Sequence, residues 1–494
     1  MRLRNSIFYS ALMLTGVNLL LRTVGTSFQV YLSGRIGAAG IGLLQLVLSV
    51  TSLATTAGMA GIRTCTMYLT AEELGKKRPQ NVVWVLSGAI GYSLIISSCI
   101  SCGIYFGADY LAQRWLNHPD AANALRLYSA FLPVSCLCGV MTGYFTAANR
   151  IGTLAVVEIA EQLCSLTVTM LALTLWAGSD PSRACQAVIL GGCAGAVLTL
   201  TCLVLLRLGE RSPMGARQKV LPRLTDTAIP LGIADDLRAG ISTLENLMVP
   251  KRLALYPGSH DPLALFGTVC GMVFPILMFP CAILFGLTEL LIPQIARCNA
   301  AGNHSRIKYL MRCSLKLVLL YGCCCAGIEY LLARELGLGL YRSEDAGYYL
   351  KLYAPLIVML YMDIITDSMI KGLGQQKASV RYNILTSAMD VGLLFVLLPK
   401  YGMMGYFISF TVTHAINFIL SFRRLVIITG QHPSYQNYAL CLVCCIAGVM
   451  IAALAPFPAA KPPVFLAVFF SGLYLLRVVT KEDIIWLKGI IKGK

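Results

Sequence analysis

Apolar runs of about 20 residues succeed one another along nearly the whole chain, each long enough to cross a ~30 Å hydrocarbon layer as an α-helix. That recurrence dictates the fold class: an all-α polytopic membrane protein. Composition agrees, with 57% hydrophobic residues and 13% charged, against roughly 25% charged in an ordinary soluble domain. The opening MRLRN and the apolar run behind it have the look of a secretory signal. The run from Ile7 to Leu32 is too long for one and contains Arg22, so it reads as the first membrane helix.

Turn signals and charge clusters divide the chain into about fourteen spans, among them 7–33, 40–71, 226–250 and 263–296. An even number places both termini on one side. Of the 40 Lys and Arg residues, 26 fall in the loops and ends of that side, 11 on the opposite side, and three (Arg22, Arg63 and Arg238) inside spans. By the positive-inside rule both termini are cytoplasmic. The same bias accounts for much of the +17 net charge, so no nucleic-acid partner is implied.

A basic, Pro-punctuated loop at 209–225 separates an N-terminal lobe of six helices (1–208) from a C-terminal lobe of six (226–424). Two further helices and a cytoplasmic C-terminus occupy 425–494. The lobes look related: Arg22 in the first helix and Arg238 in the seventh are 216 residues apart. The turns AANR (147–150) and GLGQQ (372–376) follow the fourth and tenth helices at a similar offset. Paired lobes with the substrate between them are a transporter arrangement.

The 19 cysteines lie mostly in apolar helices, as small polarizable core residues do. Cys99 and Cys102 form a C-x-x-C without a neighbouring His or carboxylate, and the five histidines are scattered. No metal motif, nucleotide loop or nucleophile constellation stands out, so the expectation is a transporter without cofactor or resident metal, and not an enzyme.

Charge inside the spans is the informative exception. The segment IADDLRAGISTLENLMVPKRL (233–253) carries Asp235, Asp236, Arg238 and Glu245. Ionisable groups at bilayer depth are costly against lipid and face a cavity or a partner. At 100° per residue, Asp235, Arg238, Ser242, Glu245 and Asn246 share an arc of about 100°, while Leu237, Ile241, Leu244 and Leu247 take the rest. Asp236 falls off the stripe near the cytoplasmic end, where solvation would account for it. In the first helix Asn18, Thr26, Gln29 and Ser33 share the face of Arg22. In the second, Gln45, Ser49, Thr56 and Arg63 share that of Ser52. Helix ten adds Asp363, Asp367 and Lys371 at i, i+4 and i+8, helix five adds Glu158 and Glu161, and Pro275 and Pro280 should bend or loosen helix eight.

Long hydrophilic faces on several helices predict a central aqueous cavity. Its candidate substrate-binding residues are Arg22, Arg63, Arg238, Asn18, Gln29, Ser52 and Ser242. Asp235, Glu245, Asp363 and Asp367 would balance charge or couple transport to an ion, with Asp235 and Glu245 holding Arg238. A lone bridge between Arg238 and Asp235 explains neither Arg22 nor Arg63. Arginines suit an anionic substrate group, phosphate in particular.

The stretches VPKRL (249–253), FPCAILFGLTELLIPQIA (279–296), GLGQQ (372–376) and PKYGMMGY (399–406), in that order and spacing, resemble the stage V sporulation protein B group. That group sits in the MATE-like MOP flippase superfamily, with the MurJ-type lipid II flippases and Wzx-type polysaccharide exporters. The resemblance spans the whole chain. It implies two six-helix lobes in a V around a cationic cavity, two further C-terminal helices, and alternating access in the bacterial cytoplasmic membrane. The implied cargo is an undecaprenyl-pyrophosphate-linked saccharide, lipid II-like and suited to spore cortex, moved to the outer leaflet. Energy would come from a monovalent cation, the membrane potential or consumption of the substrate outside. By position Arg22 matches the first-helix arginine of the MurJ-type cavity, and Arg63 falls near the second-helix one. Where those proteins often carry a further arginine six residues after the first, this chain has Phe28. Asp235 and Asp236 match no pattern of the family. Rival readings are a Wzx-type exporter, a MATE-type multidrug antiporter with a carboxylate-dominated cavity, a membrane glycosyltransferase with a large outer loop, and a non-transporting scaffold.

Overall fold

The computed structural model describes residues 2–76, 78–178, 180–209, 221–258, 260–431 and 435–479. Among the described residues the regular structure is entirely helical, and twelve helices are long and apolar enough to cross a membrane. The first of these, Leu19–Gly75, covers both the first and the second expected spans. The seventh expected span is not among the twelve, its charged residues leaving it too polar.

The chain forms two compact units. One holds Arg35–Leu255 and the stretch ending at Gly267; the other holds the chain up to Gly34 and from Thr268 onward. This differs from the lobes expected at 1–208 and 226–424: the first helix packs with the later helices, and the seventh with the earlier ones.

The first unit contains the latter part of α1 (Arg2–Met59), α2 (Ile62–Gly75), α3 (Pro79–Tyr110), α4 (Ala122–Ala147), α5 (Ile151–Ala172), α6 (Pro181–Leu208), α7 (Leu221–Leu253) and α8 (Pro262–Phe266). Proline opens α3, α6 and α8, where its missing N–H costs nothing. Asp180 and Asp261 cap α6 and α8 by accepting from Ser182 N and Ala264 N. Helix α1 is interrupted at Gly37, whose φ of 69° suits a residue without Cβ.

The expected second span, 40–71, breaks in its interior. Ala60 (φ 41°) and Gly61 (φ 72°) are both left-handed, so α1 ends at Met59 and α2 starts afresh at Ile62. At this break α7 comes into backbone contact. A Cβ on Gly232 would lie 2.7 Å from the Ala60 carbonyl carbon, and one on Gly61 would lie 2.4 Å from Ala228 O. Small residues permit such approach where hydrophobic burial cannot drive helix association.

Polar contacts then fix α7 antiparallel to α1 and α2. Asn246 Nδ2 donates to Ser49 Oγ at 2.9 Å and Thr243 Oγ1 to Ser49 O at 3.1 Å. Farther along, Cys65 Sγ donates to Leu224 O. At the start of α7, Arg223 bridges Glu72 and Glu73 at 3.0 Å each, and Asn81 also donates to Glu73. A core of Ile62, Leu69, Val85, Val140, Phe145, Leu203 and Leu224 closes this unit.

The second unit contains the first part of α1, then α9 (Phe274–Leu277), α10 (Cys281–Ala300), α11 (His304–Tyr341), α12 (Glu344–Tyr353), α13 (Ile357–Gly372), α14 (Gln376–Tyr401), α15 (Met403–Thr429), α16 (Tyr435–Ala453) and α17 (Lys461–Leu475). The expected eighth span, 263–296, is broken as its prolines require. Beyond α8 it runs through a π-helical stretch, Gly267–Val273, then the single turn α9, and restarts as α10 after Pro280. Carbonyls freed at bilayer depth need donors from within the protein. Leu277 O accepts from Tyr361 Oη at 2.9 Å, Met278 O from Arg22 Nη2 at 3.1 Å, and Pro280 O from Tyr321 Oη at 2.8 Å. Gln29 Nε2 donates to Gly271 O at 3.0 Å in the same way.

The turns noted in sequence share one geometry. After α4, Ala148 N bonds Tyr144 O and Arg150 N bonds Phe145 O around Asn149, φ 59°. After α13, Leu373 N bonds Met369 O and Gln375 N bonds Ile370 O around Gly374, φ 78°. Both are Schellman turns, each closed by a left-handed residue.

Candidate substrate cavity

Within the first unit, α1, α2 and α7 line an open cavity of about 740 Å³. Its α1 wall is Gln45, Leu48, Ser49, Ser52, Thr56 and Met59, one stripe at helical spacing. Its α7 wall is Asp235, Arg238, Ala239, Ser242, Thr243 and Asn246, and the α1–α2 break contributes Gly61, Arg63 and Thr64. Four of the predicted binding residues (Ser52, Arg63, Arg238 and Ser242) therefore share one cavity with Asp235.

Helical rotation explains who is in and who is out. Taking Arg238 as zero, the α7 lining residues occupy an arc from about 0° to 140°, so Arg238 sits at the margin. Glu245, about 20° beyond that margin, is not a lining residue, contrary to its placement on the same stripe by sequence. The bridge expected between Arg238 and Asp235 does not form: among the described residues neither Arg238 nor Arg63 has a carboxylate within ion-pair distance. Glu158 on α5 feels the charge of Arg63 without pairing to it. Asp236 is half-buried, and one of its carboxylate oxygens is buried with no hydrogen-bond partner among the described residues.

The helix break adds something the sequence reading missed. Arg63 and Thr64 lie in the first turn of α2, whose N-cap, Gly61, offers no side-chain acceptor. Cys65 N makes the first intrahelical bond, to Gly61 O. The N–H groups before it are the orphan donors of a helix start, at the positive end of the helix dipole. Close packing by α4 holds this turn in place: a Cβ on Gly143 would lie 2.5 Å from Arg63 O. The signal was Gly61 inside an apolar run, which marks an interruption as readily as a packing site.

The remaining predicted residues lie elsewhere. Arg22 and Gln29 belong to the second unit, where they donate to Met278 O and Gly271 O. Asn18 falls outside the residues whose side chains are described. Asp363 accepts from Asn417 Nδ2 at 2.9 Å, and Asp367 pairs with Lys371 and accepts from Ser379 Oγ. None of these lines the cavity of the first unit. Among the described residues no group of His, Cys, Asp and Glu could hold a metal ion.

A family model described as "Polysaccharide biosynthesis protein" matches residues 7–227. Stage V sporulation protein B of Bacillus subtilis (strain 168) is 21% identical over 415 residues, 81% of this chain and 80% of that one. Among solved structures, the lipid II flippase MurJ in an inward closed conformation superposes with a TM-score of 0.69 at 12% identity, over 94% of this chain and 98% of that one. An inward-facing multidrug resistance MATE family transporter of the MOP superfamily gives 0.68 at 14% identity, over 86% and 98%. The chain has the fold of these two transporters. Since that fold serves both MurJ and a MATE transporter, the cavity's own chemistry must discriminate between cargoes. In this protein the cavity carries two arginines and one carboxylate.

Proposed function

We propose that the protein is a flippase for a lipid-linked saccharide of the polyprenyl-diphosphate class. It carries the saccharide from the inner to the outer leaflet of the bacterial cytoplasmic membrane by alternating access, with both termini cytoplasmic. One observation carries this reading: Arg63 and Arg238, without an ion pair among the described residues, share a cavity with the start of α2, which has no side-chain cap. A guanidinium and the oriented backbone N–H groups of a helix start both suit phosphate oxygens. Beyond them Gln45, Ser49, Ser52, Ser242 and Asn246 line the same space with uncharged donors and acceptors suited to sugar hydroxyls. The volume lies within the ~300–1,000 Å³ of small-molecule sites, enough for a diphosphate and its first sugars. Likeness to a sporulation protein and to the lipid II flippase MurJ favours a lipid II-like cargo, and we take the spore cortex as its destination. A monovalent cation or the membrane potential would supply the energy.

A MATE-type exporter of organic cations is disfavoured by those two arginines in the cavity wall. Reconstitution separates the readings. Proteoliposomes should move a fluorescent polyprenyl-diphosphate disaccharide between leaflets, and excess organic cation should not compete. Transport of the cation without the lipid would reverse the assignment.

A further inference from the structure

Asp235 is out of place in a site for a purely anionic headgroup. It is exposed in the cavity and three residues before Arg238, yet among the described residues it forms an ion pair with neither arginine. The contacts along α7 fix its level. Gly232 lies against Ala60 at the helix break and Asn246 against Ser49. Asp235 therefore stands between the level of the α2 start, with Arg63, and that of Arg238. The cavity wall reads cation, anion, cation along its length. Diphosphate alone would meet a like charge in the middle of its own site, and an uncharged sugar would give the carboxylate hydroxyl donors but leave its charge uncompensated once the headgroup displaces water.

From this order we infer that Asp235 is a specificity residue for a protonated amine on the headgroup, an inference that rests on the lipid-linked saccharide reading above. The ligand matching the wall carries its phosphates on Arg63, Arg238 and the α2 start, and a primary ammonium group, on an amino sugar or on an attached peptide side chain, that reaches Asp235 between the two arginines. Asn or Ser at 235 would satisfy hydroxyls equally well. A carboxylate adds discrimination in favour of the cation, and against headgroups whose amine is blocked.

The test uses the full-length protein in detergent and native mass spectrometry with two pairs of probes. One pair is a polyprenyl-diphosphate disaccharide with a free amino sugar and its N-acetylated form. The other is a polyprenyl-diphosphate saccharide-peptide with a free side-chain amine and its acetylated form. The free amine should bind about tenfold more tightly in one pair, the worth of one charge-assisted contact, and the pair that shows it identifies the source. Asp235→Asn should erase the preference while still binding both forms, and Asp235→Glu should keep it. Equal affinities within both pairs would overturn the inference, as would a preference that survives in Asp235→Asn. So would an Asp235→Asn variant that stops transport with its preference intact, which marks a proton carrier. If none of the four lipids binds the wild type, the flippase reading falls too, a result distinct from binding without preference.

Discussion

Asn246 on α7 donates to Ser49 on α1 at 2.9 Å, and both residues line the cavity. The same pair that gives the cavity its polar end also sets the register of α7 against α1. With Gly232 seated on Ala60 at the helix break, it makes the position of Arg238 relative to Ser52 a consequence of packing.

That packing predicts a cost for the smallest possible enlargement. Gly232→Ala would place a methyl group 2.7 Å from the Ala60 carbonyl carbon. It should destabilise the protein by about 1–3 kcal/mol, as overpacking does elsewhere, seen as a lower melting temperature in detergent. Gly61→Ala adds the strain of a left-handed Ala and should melt lower still. Wild-type melting for both would mean that α7 does not approach the break this closely.

The clasp at the start of α7 is testable by a double-mutant cycle. Arg223→Ala leaves the Glu73 side chain, 3% exposed, without its cation. The loss should be about 1–3 kcal/mol, less than for a fully buried pair because Arg223 is itself 41% exposed. Adding Glu73→Gln should recover part of it, since a neutral amide tolerates burial better than a stranded carboxylate. Additive losses in the double variant would show that the two residues are not energetically coupled.

Cavity access is checked by thiol labelling. In a background without native cysteines, Cys at Ser52 or Ser242 should react with a small water-soluble reagent. Cys at Leu247, which is 8% exposed in the native protein, should be protected. Equal protection at all three would mean a dry helix bundle.

Much of this was legible in the sequence because two periodicities coincide there. Apolar runs fixed the spans, and polar residues at helical spacing marked the walls that Ser52, Arg238 and Ser242 share. What escaped was whatever departs from an unbroken helix. The break at Ala60 and Gly61 converts one expected span into two helices and opens the start of α2. A stripe drawn around Arg238 included Glu245, because projection gives relative angles and not the direction of the cavity, which is centred nearer Asp235 and Asn246. The assignment of the first and seventh helices to units depends on contacts between distant segments, such as Arg22 with Met278, that no local pattern encodes.

The claim that the two cavity arginines hold a diphosphate is most directly tested by the affinity of the Arg63→Ala, Arg238→Ala double variant for polyprenyl diphosphate without a sugar, set beside the same lipid's alcohol. Each arginine should contribute about 1.5–3 kcal/mol through charge-assisted hydrogen bonds. The folded double variant should therefore bind the diphosphate at least about 100-fold more weakly than the wild type, while its weak affinity for the alcohol stays unchanged. A folded double variant that binds the diphosphate as tightly as the wild type would contradict the assignment.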